Sequence, residues 1–235
     1  MILVNLTWLR DLQNHTMESF LPLMILRLRN WVKKEMKVIG VIGQNGSGKD
    51  EVLKYLFAKC NIPFLSTGDI VREIAAKETK DPTRDNLHKI SESYFRKFGR
   101  GYFMKLAAAK MDQNGWTIGG ITGIRSIDDI EVLRSIFGRD FVLINVYVSD
   151  LKKRYRRLRG RHEARDPHTF QEFLQQDKTE EELFHIQSAS QKPDYSLNND
   201  GTINDLHKAI DTLITQHILC DTDGHSPKSD IGHWI

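Results

Sequence analysis

The chain has 235 residues, enough for one medium-sized domain with a buried core, or for a domain with an appendage. Its 40% hydrophobic and 28% charged content is that of an ordinary globular protein. The formal net charge of +3, from 34 Lys and Arg against 31 Asp and Glu, is too balanced to indicate nucleic-acid binding. No uncharged apolar run reaches the roughly 18 residues of a membrane span. Cys60 and Cys220 stand in no metal or redox spacing, which fits reduced thiols in a cytoplasmic protein.

Residues 1–35 read as an extension. Its apolar run Phe20–Leu26 is short and is followed, not preceded, by Arg27, Arg29, Lys33 and Lys34, the wrong order for a secretory signal. It reads as an amphipathic helix, as a membrane-surface contact, or as the result of a start codon assigned too early. The last is favoured, because Met36 directly precedes the first predicted strand.

A domain over 36–220 follows. Lys37–Ile42 is apolar and β-branched, the pattern of a buried parallel strand. Next, Gly43-Gln44-Asn45-Gly46-Ser47-Gly48-Lys49-Asp50 matches the phosphate-binding loop G-x-x-x-x-G-K-[ST] at all but its last position. It lies between a predicted strand and a predicted helix, the context the motif requires. Its backbone amides would point at phosphate oxygens from the positive end of that helix, and Lys49 would reach the β- and γ-phosphates. Asp50 stands where a hydroxyl should hold magnesium. One reading makes it a hard oxygen ligand, replacing the acid missing from the third strand, where Thr122 stands. The other makes it a helix cap.

Further elements follow in order. Glu51–Lys59 reads as a helix and Ile62–Leu65 as the second strand, with Asp69 capping the next helix. Residues 84–112 are helical with a break near Gly99 and Gly101, Trp116–Ile121 is the third strand, and Ile127–Phe137 is a helix. Phe141–Val148 is the strongest strand. A basic helix (151–159), a polar turn (160–168) and a helix (169–188) come next, then a last strand (Asp194–Leu197), a closing helix from Ile203 to Leu219, and a loose polar tail over 221–235. Strand and helix alternate throughout, which predicts an α/β sandwich around a parallel sheet with ligands at the carboxyl ends of its strands.

Three motifs in chain order carry a resemblance. Ser66-Thr67-Gly68-Asp69-Ile70-Val71-Arg72 resembles the S-T-G-D-x-x-R segment of adenylate kinases and other nucleoside monophosphate kinases. Ile121–Arg125 is similar to the x-x-V-R segment of phage-type deoxynucleoside monophosphate kinases, which, like phosphomevalonate kinases, carry G-K-D in the loop. Arg156–Arg161 with Arg165-Asp166 resembles the arginine lid of adenylate kinases. Pro82–Leu87 is similar to a phage-type acceptor segment, and Lys192–Thr202 to the segment before the last helix of dephospho-coenzyme A kinases.

The resemblance spans about 37–219. It implies a P-loop NTPase three-layer sandwich, with a five-stranded parallel sheet of order 2-3-1-4-5, an acceptor region over 67–112 and a short lid over 156–168. ATP and Mg2+ are the implied cofactors. Lys49, Arg125, Arg157, Arg161 and Arg165 would surround the transferring group. Thr67, Asp69, Arg72, Arg84 and Arg125 would hold the acceptor, Asp50 and Asp69 the metal, and Asn199 or Gly201 would touch adenine through backbone groups. The implied activity is phosphotransfer to a small phosphate-bearing acceptor, a nucleoside or deoxynucleoside monophosphate. A dephospho-coenzyme A kinase and an ATP-binding switch with slow hydrolysis are the alternatives. The implied partner is a small molecule, on a monomer or homodimer. Tyr155 is the one aromatic residue within the basic helix, which speaks against nucleic acid.

Overall fold

Lys37–Ile42 (β1) is the central strand of the sheet, and its neighbours on both sides force it to be apolar on both faces. Val38, Ile39, Val41 and Ile42 are all buried. The computed structural model describes residues 36–218 apart from 79, 80, 82, 164 and 165, so the extension 1–35, Arg165 and the tail 221–235 lie outside the described residues. The other strands are Phe64–Ser66 (β2), Ile118–Ile124 (β3), Phe141–Tyr147 (β4) and Tyr195–Asn198 (β5). All pairings are parallel, in the order β2-β3-β1-β4-β5, as expected.

The helices are Lys49–Cys60 (α1), Thr67–Lys77 (α2), Arg84–Phe98 (α3), Tyr102–Gln113 (α4), Ile127–Phe137 (α5), Leu151–Arg159 (α6), Phe170–Phe184 (α7), Ile186–Ala189 (α8) and Ile203–Leu213 (α9). Ile39, Val41, Ile144 and Val146 of the sheet bury against Val52, Leu53 and Leu56 of α1 and Leu206, Ile210 and Leu213 of α9. Alternation along β1 sends Gly40 to the opposite face, where the Phe141 ring and Ile124 fill the space a Cβ would need. α4 and α5 pack on β3 and β4. Among the described residues no helix is long and apolar enough to cross a membrane.

Several boundaries differ from expectation: β2 begins at Phe64 rather than Ile62, and the closing α-helix ends at Leu213. β3 starts later, because Trp116 N–H closes the turn after α4 on Met111 O, and it runs on to Ile124 because pairing with β1 resumes there after a bulge at Gly123. The predicted helix 169–188 breaks at His185, which adopts a left-handed conformation with φ 54°. Asp69 does not cap α2: Ser66 is the N-cap, so Asp69 lies inside the first turn.

The turn from β3 into α5 sets the direction of Arg125. Ser126 Oγ accepts from Asp129 N–H (3.2 Å), and Asp129 Oδ2 accepts from the N–H groups of Ser126 (3.1 Å) and Arg125 (3.0 Å), a reciprocal cap. Burial pushes the Asp129 carboxyl up, only partly offset by those bonds. Ser126→Ala is therefore expected to lower the unfolding free energy by about 1 kcal/mol in urea denaturation.

Candidate active site

The phosphate loop is shaped by what lies beneath it. α1 starts from Gly48 (φ 95°) with no side chain capping its first N–H groups, so they remain available to an anion. Gly46 (φ 80°) passes so close to α6 that a Cβ would come within 2.7 Å of Arg154 O, and a Cβ on Gly48 would come within 2.3 Å of Asn199 Nδ2. Both contacts hold the loop to elements far away in sequence.

Arg154 is fully buried and makes the strongest of these ties. Its Nε donates to Asn45 O (2.9 Å) and its Nη1 to Gln44 Oε1 (2.9 Å) and Asp177 Oδ2 (3.1 Å), while Nη2 donates to Asp177 Oδ1. The guanidinium lies 5.2 Å from the Phe173 ring centroid. Sequence reasoning missed this residue. It is one of several basic residues in α6, and only the apolar surroundings set by Leu158 on the same face hint that it points inward.

Asn199 is the second tie. Its Nδ2 donates to Ser47 O (2.8 Å), its N–H to Tyr147 O (2.9 Å), and its carbonyl accepts from Arg157 Nη2 (2.8 Å). The Asn199 backbone groups, one of the two sets expected to meet adenine, are thus engaged within the fold, and Asn199 supports the loop from below.

Asp50 does not cap α1. Its Oδ1 accepts from Thr122 Oγ1 (3.0 Å), across from the first turn of α1 to β3. Burial pushes the Asp50 carboxyl up, but the Lys49 ammonium and the Thr122 hydroxyl outweigh it and hold the group below its ordinary value. Desolvation lowers the Lys49 amine, with Asp50 opposing.

Among the residues expected to hold an acceptor, Thr67 Oγ1 donates to Gly123 O (3.1 Å), and Arg72 Nη2 is paired with Asp69 Oδ1 in the same helix. Arg84 and Arg125 come together although 41 positions separate them, because both donate to Glu180 of α7: Arg84 Nη1 to Oε1 at 2.6 Å and Arg125 Nη1 to Oε2 at 3.2 Å. His88 Nε2 also lies 3.2 Å from Oε1. Burial pushes the Glu180 carboxyl up, but Arg125, the hydrogen bond from His88 and Arg84 overcome it and hold the group well below the usual carboxylate range. Glu180 and His88 were not anticipated from sequence. Arg161 is paired with the buried Asp166 in the lid turn.

One cleft of about 620 Å³ gathers these groups. Its walls include Lys49 and Asp50 of the loop, Asp69 and Arg72 of α2, Arg84 of α3, Arg125 after β3, and Arg157 and Arg161 from α6 and the turn after it.

Residues 42–173 match the family model described as an AAA domain. The chain is 30% identical over 183 residues to UPF0200 protein TK1334 of Thermococcus kodakarensis, covering 77% of this chain and 98% of that one. The chain belongs to the UPF0200 family. A second UPF0200 relative, PH1008 of Pyrococcus horikoshii, is 32% identical over 183 residues, covering 76% of this chain and 96% of the relative. Among solved structures, TT1252 from Thermus thermophilus is similar at a TM-score of 0.50 with 16% identity, over 78% of this chain and 99% of that one. The fold of this UPF0200 chain is the P-loop sandwich, with a five-stranded parallel sheet of order β2-β3-β1-β4-β5.

Arg154→Met keeps the side-chain bulk and removes the charge, leaving Asp177 and the loop carbonyl unpaired. It is expected to cost about 3 kcal/mol in urea denaturation. The exposed neighbour change Arg156→Met should stay within about 0.5 kcal/mol.

Proposed function

We propose that this UPF0200 chain is an ATP- and magnesium-dependent phosphotransferase whose acceptor is a nucleoside or deoxynucleoside monophosphate. The observation that carries the reading is the single cleft that joins the loop residues Lys49 and Asp50 to the guanidinium groups of Arg72, Arg84 and Arg125 beneath Arg157 and Arg161. Phosphoryl transfer asks the protein for alignment, charge neutralisation and water exclusion more than for covalent chemistry. The loop amides and Lys49 would bind the donor phosphates. Arg72 and Arg125 offer planar forks that suit the acceptor phosphate. Arg157 and Arg161 would cover the transferring group.

The donor set fits magnesium: Asp50 and Thr122 present hard oxygens side by side, next to where the phosphates would lie. Among the described residues no group of three or more His, Cys, Asp or Glu could hold a metal. Such an ion would therefore be shared with phosphate oxygens, the usual habit of magnesium. When bound, it neutralises phosphate charge.

A dephospho-coenzyme A kinase would need a base for its hydroxyl acceptor. The four acids lining the cleft are all engaged, Asp50 by Thr122, Asp69 by Arg72, Glu51 by His207 and Glu163 by Arg161, which favours an acceptor that is already anionic.

The test is phosphoryl transfer by the full chain with ATP and magnesium, across all ribo- and deoxynucleoside monophosphates and dephospho-coenzyme A. The expected result is transfer to a monophosphate, reduced by at least about 100-fold in both Lys49→Ala and Arg125→Ala. Transfer to dephospho-coenzyme A alone, or slow hydrolysis with no acceptor used, would overturn the reading. The metal assignment has its own test. Asp50→Thr is expected to weaken manganese binding to the ADP complex by about tenfold, read by electron paramagnetic resonance. Asp50→Thr with Thr122→Asp, which exchanges the two residues, should recover most of that loss. Unchanged manganese binding in Asp50→Thr would remove Asp50 from the metal site.

A further inference from the structure

The guanidinium groups assigned to the acceptor phosphate already hold a carboxylate. Glu180 is 3% exposed and takes donors from Arg84, Arg125 and His88. One turn further along α7, the Phe184 ring lies 4.8 Å from the Arg125 guanidinium and edge-on to His88 (6.0 Å) and Phe95 (6.3 Å). Positions four apart share a helix face. α7 therefore presents an anion and a flat ring, side by side, to a pocket whose other walls include Val71, Leu87, Phe103 and Met104.

Little space is left. The pocket holds about 50 Å³, room for a few waters. Pockets that bind organic ligands measure several hundred Å³. α7 ends immediately after Phe184, at left-handed His185, and the next helix has only four residues, so this end of α7 stops at a backbone break.

We propose that Glu180 and Phe184 are a displaceable internal stand-in for the acceptor, and that an acceptor combining an anionic group with a flat ring enters only by moving this end of α7 off Arg84 and Arg125. The proposal rests on the reading of Arg84 and Arg125, which line both this pocket and the larger cleft, as acceptor-phosphate groups. Exchange is physically reasonable because a phosphate brings more charge and more acceptor oxygens than the carboxylate it replaces, and a base replaces the ring in kind. Self-occupation lowers the apparent acceptor affinity by the fraction of molecules in which the site is open. It also links the two substrates. Asp177, one turn before Glu180, holds Arg154 and through it the loop groups of Gln44 and Asn45. Displacing α7 would thus be felt at the donor loop.

The test uses the full chain saturated with ADP and magnesium and titrated with inorganic phosphate by calorimetry. Glu180→Gln is expected to bind phosphate about tenfold more tightly than the unmodified chain. In the unmodified chain, amides of residues 178–186 should exchange hydrogen faster once phosphate is bound. Phe184→Ala should tighten binding of AMP while leaving inorganic phosphate little changed. Equal or weaker phosphate binding by Glu180→Gln would mean that Glu180 orients the arginines for the acceptor, and would overturn the proposal. So would exchange in 178–186 that is slowed or unchanged by phosphate, a measurement that decides the matter even if the variant does not fold. If Arg125→Ala leaves phosphate binding intact, the acceptor reading itself fails.

Discussion

The buried guanidinium of Arg154 is the interaction on which the rest of the site depends. A charge removed from water costs several kcal/mol unless its donors and its charge are matched. Here Asp177 matches the charge, the loop groups Asn45 O and Gln44 Oε1 take the remaining donors, and the Phe173 ring covers one face. The consequence is geometric. A glycine-rich loop has many accessible backbone conformations, and fixing one of them costs entropy. Arg154 makes the phosphate-ready shape the one in which a buried charge is satisfied, and so ties that shape to the placement of α6 and α7. Asn199 does the same from the residue after β5, holding Ser47 O and accepting from Arg157.

The cleft follows the same rule of matched charge. Arg72 is paired with Asp69, Arg161 with Asp166, Arg84 and Arg125 with Glu180, and Lys49 stands beside Asp50. Unmatched cations gathered in one cleft would repel one another and spread. Paired, they stay within reach of a common point, the arrangement that the proposed exchange of their anions for phosphate would use. The pairs differ in depth. Arg72 with Asp69 is largely exposed and weakly held, whereas Glu180 is buried and strongly ionised. Exchange with a ligand is therefore least costly at Arg72 and most consequential at Glu180.

What could be read from sequence was what is local or carried by a motif. The loop, S-T-G-D-x-x-R, the turn at Arg125 and the arginines after β4 each sit within a few residues, and the alternation of apolar strands with helices gave the sheet. The partners of those groups were not legible. Glu180 is the first of three consecutive acids, and nothing local says which of Glu180, Glu181 and Glu182 turns inward; its partners lie 96 and 55 positions away. Arg154 is hidden among Lys152, Lys153, Arg156 and Arg157 for the same reason. The later end of β3 was not legible because Gly123 reads as a strand breaker; in the fold it is a left-handed bulge residue (φ 85°) that β1 passes over, pairing Thr122 and then Ile124.

The anomaly at Asp50 resolves into a complementary pair. A loop hydroxyl beside a strand carboxylate and a loop carboxylate beside a strand hydroxyl contain the same donor, the same acceptor and the same charge. Only their positions are exchanged, and the Thr122 to Asp50 bond at 3.0 Å closes the pair. The exchange is not neutral, however. In the loop, the carboxylate sits in the first turn of α1, where the helix field favours an anion, and directly beside Lys49. The site keeps its acid ionised chiefly through Lys49 of the loop, and the hydroxyl that β3 supplies at Thr122 adds to it. A strand that need not carry a charge can remain glycine-rich and close-packed, which is the condition under which Gly123 O can receive the Thr67 hydroxyl and β3 can pass Arg125 to the acceptor side.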